Sequence, residues 1–500
     1  MSITFNLVPA TAAASAVYVE QENVNRGPST SSLPHKILVP GQYNDGYSPT
    51  VNTPQLILNK ADAWTRYGRG SMLAAMIEKC LKKGGGCSVY AFPIAANSAG
   101  VAATGTVVVT VDDAEAGTIY LYIGGEEVDV AITADMTATE IGEAIADAIN
   151  ANLDLPVTAE NDAGTVTLTC RWAGESGNQI ALELNRDDDD ETPDGVTLEV
   201  TDIGSVTAGA NDPDLTDVFT TENLGGKWFT EVPFPYTSED AIGAMEDCGD
   251  ERDDPSVMRQ LVGFVGFTGT IANFITALEE RNSQWSTYVP VPGSPTSAYM
   301  IAASAAAIYA KYQQINPGRP VKTIELPGVI AGNEAMKDYA DTVVQAGGSW
   351  TINQDDDTVI IGDLCTTRTT EDSGAKTEDW RFTIIITNIQ HKLYQIYNTF
   401  AASPFARAVV LTDSHGKGPS YGIRPKTVKG YAIKLVRAWG EAGLSTDIDT
   451  IINGNDDDNP GISAEINDSN AGRIDLLIPD IPSAGLRILA TKLEWAFTTG

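Results

Sequence analysis

The chain is poor in the residues that do chemistry. Its 500 residues contain three histidines, His35, His391 and His415, dispersed and never in the HxxH or HExxH arrangement that places two imidazoles on one helix face for zinc. The five cysteines, Cys80, Cys87, Cys170, Cys248 and Cys365, are odd in number and form no CxxC pair. This argues against a disulfide framework or a thiolate metal site and for buried thiols in a reducing compartment. No apolar run approaches the ~18 residues of a membrane span. The first residues lack a basic stretch followed by an apolar one, so the expectation is a cytosolic product without membrane insertion. Basic residues are also scarce: 32 Lys and Arg stand against 67 Asp and Glu, a formal charge of −35. Phosphate neutralisation needs the opposite balance, which excludes nucleic acid as a partner. Such a charge also opposes self-association unless specific contacts overcome it.

Motifs for cofactors and nucleophiles are missing too. Gly416 to Ser420 (GKGPS) has the composition of a phosphate loop, but lacks the GxxxxGK[ST] spacing, and Pro419 removes an amide donor. It reads as a turn. No GxSxG elbow occurs, and Gly70-Ser71 precedes a helical pattern instead of following a buried strand. The acidic runs at 187–190 and 456–458 do not follow the ligand order of a calcium loop and read as solvated loops; 355–357 reads as a turn. The expectation is no catalytic residue, no metal and no cofactor.

What is present is the pattern of a large folded chain, 42% apolar and long enough for several domains. A strand at 36–39, a helical pattern over 59–83 stopped by Gly84-Gly85-Gly86, and a strand at 88–93 begin an α/β layer. Residues 96–211 change to short strands, interrupted by one helix over 137–152 that opens with Thr137 and Glu140 in capping-box spacing. From 212 strands and helices alternate again, through an Ala-rich helix at 299–314. A long amphipathic stretch at 380–400 shares Ile384, Ile385, Ile389, Leu393 and Ile396 on one face, and a second helix is predicted at 427–442. The fold class is α/β, α+β overall, and multi-domain. The expected division is an arm at 1–28, an α/β domain at 29–95 and 212–370, an inserted β-rich domain at 96–211, a C-terminal core at 371–485 and an arm strand at 486–500.

Both ends read as strands. At the C-terminus Leu489, Leu493, Trp495 and Phe497 alternate with Lys492 and Glu494; at the N-terminus Val17 and Val19 fall in Ala16-Val17-Tyr18-Val19. Terminal segments usually fray, so half-buried strands there need a sheet edge, in this subunit or a neighbour. One basic island interrupts the acidic background: Arg424, Lys426, Lys429, Lys434 and Arg437. It is either a solvated helix face or a cationic surface for an acidic face of a neighbour.

Several phrases, in order along nearly the whole chain, resemble the tail sheath proteins of contractile, Mu-like bacteriophages. They are YGRGSMLAAM at 67–76, AGVAATGTV at 99–107, DLPVTA at 154–159, GESGN at 174–178, Arg281-Asn282-Ser283, RPVKTIELPGV at 319–329, IRPK at 423–426, WGEAGL at 439–444 and RIDLLIP at 473–479. The chain departs from the family near its N-terminus, where Ser15-Ala16 stand in place of Pro-Gly, and matches it loosely over 365–400. The resemblance implies a structural virion subunit, assembled in the host cytoplasm into a helical homo-oligomer around an inner tail tube protein, between baseplate and tail terminator proteins. It implies that the terminal arms complete sheets in adjacent subunits and that the inserted domain projects outward. Two alternatives stay open on the residues alone: an α/β hydrolase-like enzyme, and a surface- or carbohydrate-binding module centred on the inserted domain.

Overall fold

In a computed structural model the described residues are 32–455, 459–487, 489 and 492. The chain forms two compact units: Ser32–Tyr394 with the segment from Pro482 onward, and Gln395–Ile481.

The larger unit starts with β1 (Lys36–Gln42), β2 (Gln55–Ile57), α1 (Lys60–Tyr67), α2 (Met72–Lys83) and β3 (Ser88–Ile94). The helix expected over 59–83 is two helices. Gly68 and Gly70 hold φ of 86° and 78°, values an L side chain rarely adopts, and Ser71 then accepts from the Ala74 amide to cap α2. Next come β4 (Ala102–Val111), β5 (Gly117–Ile123), β6 (Glu126–Ile132), α3 (Ala138–Ala151), β7 (Val157–Asp162), β8 (Thr165–Ala173), β9 (Leu182–Leu184) and β10 (Val196–Thr201). They make two antiparallel sheets, β10-β4-β8-β7 and β6-β5-β9. The predicted capping box of α3 is present, with Thr137 and Glu140 each bonding the other's backbone amide. Alternate residues of β4 and β8 are buried, the period-two signature of a half-covered sheet.

After α4 (Thr221–Leu224) the α/β layer resumes with β11 (Glu231–Phe234), α5 (Glu239–Asp253), β12 (Val262–Phe267), α6 (Ile271–Glu279), β13 (Ser286–Pro290) and α7 (Ala298–Ile315). The sheet order is β13-β12-β11-β1-β3-β2, parallel except for β2. Strand β1 lies between β3 and β11, so the β4–β10 region is inserted between two strands of one sheet. The Ala-rich α7 is buried along most of its length against this sheet, α2 and the next strand, because its small side chains let neighbours approach on every side. Then follow β14 (Glu325–Ile330), α8 (Ala340–Gln345), β15 (Trp350–Asn353) and β16 (Thr358–Asp363), the three strands pairing in the order β14-β16-β15. Asp355 to Asp357 form the turn between β15 and β16.

Helix α9 (Thr383–Ala401) corrects the sequence reading. Its polar face is the buried one, with Thr383, Thr387, Asn388, Gln390 and His391 all shielded, whereas Ile384, Ile385, Ile389 and Leu393 are only half-buried. The two threonine hydroxyls have partners that make burial tolerable: Tyr309 Oη, which donates to the Thr383 carbonyl at 2.9 Å, lies 2.6 Å from Thr387 Oγ1, and Thr287 Oγ1 lies 3.0 Å from Thr383 Oγ1.

The smaller unit holds β17 (Val409–Val410), β18 (Gly422–Ile423), α10 (Pro425–Glu441), α11 (Ile448–Asn453), β19 (Ser463–Ile466) and β20 (Ile474–Leu477). Its core is Ala432, Leu435, Val436 and Trp439 from one face of α10, with Leu444, Ile451, Ile452 and Ile462.

Candidate inter-subunit surface

In the smaller unit, β19 and β20 form an antiparallel pair in the register Ser463↔Leu477 to Ile466↔Ile474. Among the described residues neither strand has a second neighbour, so each presents an outer row of amide and carbonyl groups. No residue of either strand is fully buried, and Leu477 is 48% exposed. An isolated two-stranded ribbon is marginal in water. This one is held by packing on α10 and by a tight turn, where Asn467 Nδ2 donates to Asp475 Oδ2 at 2.7 Å and Arg473 pairs with Asp475. The chain after α10 is tied to the segment after β20 by Ser445 Oγ donating to Asp480 at 2.7 Å and by the Thr446 amide to the Ile481 carbonyl. The pair is thus held by its turn and by α10, and among the described residues both outer edges are unpaired.

Helix α10 starts at Pro425, where a missing amide costs nothing, and Asp413 Oδ1 accepts from the Lys426 amide in place of a side-chain cap. Its inner face is anchored by Trp439, 1% exposed, whose indole donates to Gln395 Oε1 at 2.6 Å. The outer face carries the basic island. Lys426, Lys434 and Arg437 are exposed and Lys429 half-buried, and none of the four forms an ion pair among the described residues. Lys434 lies over the ring of Tyr431 at 5.0 Å. Arg424 stands apart, because its guanidinium is spent on the carbonyls of Gly416 (2.7 Å) and His415 (3.2 Å) in the loop. The stretch 416–420 is that exposed loop, with a turn closed by the Gly422 amide on the Pro419 carbonyl.

The C-terminal segment leaves from the larger unit, where Arg487 pairs with Asp363 at 2.5 Å and lies over the Phe382 ring, and Lys322 donates to the Leu486 carbonyl. Leu486 is 68% exposed and Leu489 75% exposed, with no strand at either. Val17, Val19, Leu493, Trp495 and Phe497, like the acidic run 456–458, lie outside the described residues.

The chemically interesting side chains are committed to structure. His35 Nδ1 is 2.5 Å from Glu231 Oε1 with both side chains 1% exposed, and Thr230 donates to the other carboxylate oxygen at 2.6 Å. Burial, with His35 and Lys392 nearby, pushes the His391 pKa down to about 4. His415 is exposed in the loop before α10. Burial raises every cysteine thiol, Cys80 and Cys365 the furthest, so none is a ready nucleophile. The acidic turn at 187–190 is knitted by Tyr122 Oη donating to Asp190 and by the Asp187 amide to the same carboxylate. Among the described residues no group of three or more His, Cys, Asp or Glu is placed to hold a metal ion.

Sequence reasoning missed two polar features. Glu231 is a buried carboxylate inside what reads as an apolar strand, its partner His35 lying 196 positions away. The outer face of α5 exposes Glu239, Asp240, Asp247, Asp250, Glu251 and Asp253. The helical period of those acids was available in the sequence as a signal.

Compared with known proteins, the chain matches no protein-family model. It is 26% identical over 499 residues to the Mu-like prophage FluMu tail sheath protein of Haemophilus influenzae, covering 99% of this chain and 100% of that protein. Solved structures similar to it include a sheath tail protein from Desulfitobacterium hafniense (10% identity, 94% of this chain and 97% of that chain, TM-score 0.49). Others are a sheath tail protein from Listeria innocua (12%, 90% and 96%, TM-score 0.45) and the contracted sheath complex of an extracellular contractile injection system (9%, 98% and 99%, TM-score 0.46). The sequence similarity runs over nearly the whole of both chains, so along its length this chain is similar to a tail sheath protein of a Mu-like prophage.

Proposed function

We propose that this chain is the structural subunit of a contractile phage tail sheath. It polymerises around an inner tail tube, between baseplate and terminator proteins, and contracts to drive the tube through the host envelope. The observation that carries this reading is the full-length similarity to a tail sheath protein. The edges of β19 and β20, unpaired among the described residues, support it, because they offer the template that an extended arm from a neighbour would complete.

On this reading the segment leaving at Arg487 is one donated arm, with Leu489, Leu493, Trp495 and Phe497 as its apolar face. The N-terminal segment with Val17 and Val19 is the other. The Arg487–Asp363 pair gives that segment an attachment on its own subunit, which supports this reading. The β4–β10 insertion faces away from the tube, so both states of the lattice accommodate it. Contraction is a two-state rearrangement of rigid bodies that stay linked through the arms, with the driving energy stored at assembly. No nucleotide is required. The test is removal of residues 486–500. The truncated chain folds as a soluble monomer and forms no tubes, and normal cylinders from it under the electron microscope would refute strand donation.

A further inference from the structure

Two exposed helix faces in this chain match each other in charge, in length and in one unusual residue. On α10, Lys426, Lys429, Lys434 and Arg437 fall within an arc of about 140° at ~100° per residue. Near the centre of that arc is Gly430. A Cβ there would meet nothing within 4 Å, and its backbone is ordinary helix, so nothing among the described residues requires glycine. On α5, Asp240, Asp247, Asp250 and Glu251 occupy a similar arc, with Gly243 near its centre. A Cβ on Gly243 would meet only Arg281 Nη1, at 4.0 Å. The contrast with Gly249 on the same helix is instructive, since a Cβ there would lie 2.4 Å from Trp285, an internal packing reason that Gly243 lacks.

A glycine inside an exposed helix is unfavourable relative to alanine, so its presence at the middle of a charged face calls for a close neighbour. The α5 face is also concave. With Thr216, Phe219 and Thr220 opposite, it borders a cleft of about 380 Å³ lined by Asp240, Gly243, Asp247 and Glu251, whose one cation, Arg281, is paired with Glu246. Glu239, Asp240, Asp247 and Glu251 make no ion pair among the described residues, and neither do the α10 lysines. Asp240 to Glu251 and Lys426 to Arg437 span the same eleven-residue interval, so the end charges of the two faces coincide.

We propose that the basic face of α10 in one copy docks into the acidic α5 face of a second copy of this chain, the paired glycines letting the helices approach closely. This rests on the sheath reading and adds to it a contact that is independent of the arms. It also answers the charge problem: a chain of net charge −35 gains a local attraction that offsets its general repulsion.

The test uses the full chain carrying Gly243→Cys and Gly430→Cys together; the native thiols are all buried and stay silent. Mild oxidation yields a ladder of disulfide-linked copies on a non-reducing gel, at least tenfold weaker in high salt and absent from either single variant. No ladder, an equal ladder from a single variant, or a disulfide closing within one copy each overturns the contact. In a second arm, Lys434→Glu lowers assembly and Asp247→Lys added to the same chain restores it; failure to restore overturns the pairing. Electron microscopy of the wild type separates the two claims. Tubes without a ladder refute this contact and leave the polymer standing, whereas a ladder without tubes supports the contact and refutes the sheath reading.

Discussion

The most exposed quantitative consequence of the fold concerns His391. Above about pH 6.5 its ring is neutral in the folded and the unfolded chain, and it imposes no pH dependence. As pH falls from there, the unfolded ring takes a proton that the folded ring refuses, because burial and the nearby His35 and Lys392 hold its pKa at about 4. The unfolded state then binds more protons, so stability falls with pH across this window and levels off below the folded pKa. From 6.5 to about 4, at about 1.4 kcal/mol per pH unit, the loss reaches about 3 kcal/mol. That is a large share of a marginal stability. Carboxylates titrate in the same range, so the measurement is a difference: urea unfolding of the wild type and of His391→Gln, followed by tryptophan fluorescence at several pH values. Glutamine keeps an acceptor for the Leu33 amide, which His391 Nδ1 now meets at 3.5 Å. The variant has a shallower acid limb, with the two curves converging by about 3 kcal/mol towards about pH 4. Parallel curves would refute the assignment of His391 as buried and neutral.

Further outcomes follow from single side chains. Trp439→Ala removes the central ring of the smaller unit's core and its bond to Gln395, and costs about 3–5 kcal/mol in chemical denaturation. Arg252 is fully buried, its pKa lowered to about 10 and hence still cationic near neutrality, and it donates to the carbonyls of Gly225, Lys227 and Arg259. Arg252→Met therefore removes the donor of three part-buried carbonyls and costs about 1–3 kcal/mol in all, and Arg252→Lys, lacking the planar fork, recovers little of it in a thermal melt. Gly430→Ala stabilises the monomer by up to about 1 kcal/mol through helix propensity and weakens tube formation, an opposition that light scattering and denaturation together would reveal.

Periodicity carried much of the fold. The capping box of α3, the insertion between β3 and β11, and the Ala-rich α7 all follow from local patterns that tertiary structure left intact. Where reading failed, a long-range partner had reversed a local preference. The isoleucine stripe of α9 reads as a core face, yet Tyr309 and Thr287 satisfy the threonines opposite, and the polar side is the one that turns inward. Likewise the 59–83 pattern is continuous in hydrophobicity but broken by Gly68 and Gly70, whose positive φ no apolar period reveals. The basic island was legible as a run of charges, but only the structure separates Arg424, bound to its own loop, from the outward-facing Lys426, Lys434 and Arg437. That β19 and β20 have no second neighbour among the described residues was not legible, because a strand's pattern does not state how many neighbours it has.

Polymerisation through exchanged ends is the property on which the proposed sheath role depends. Negative-stain imaging of the purified full chain beside the chain ending at Gly485 measures this directly. The full chain forms hollow tubes and the shortened one remains a folded monomer, its melt lowered only by the loss of the Arg487–Asp363 pair. Monomers from both, or tubes from both, would contradict it.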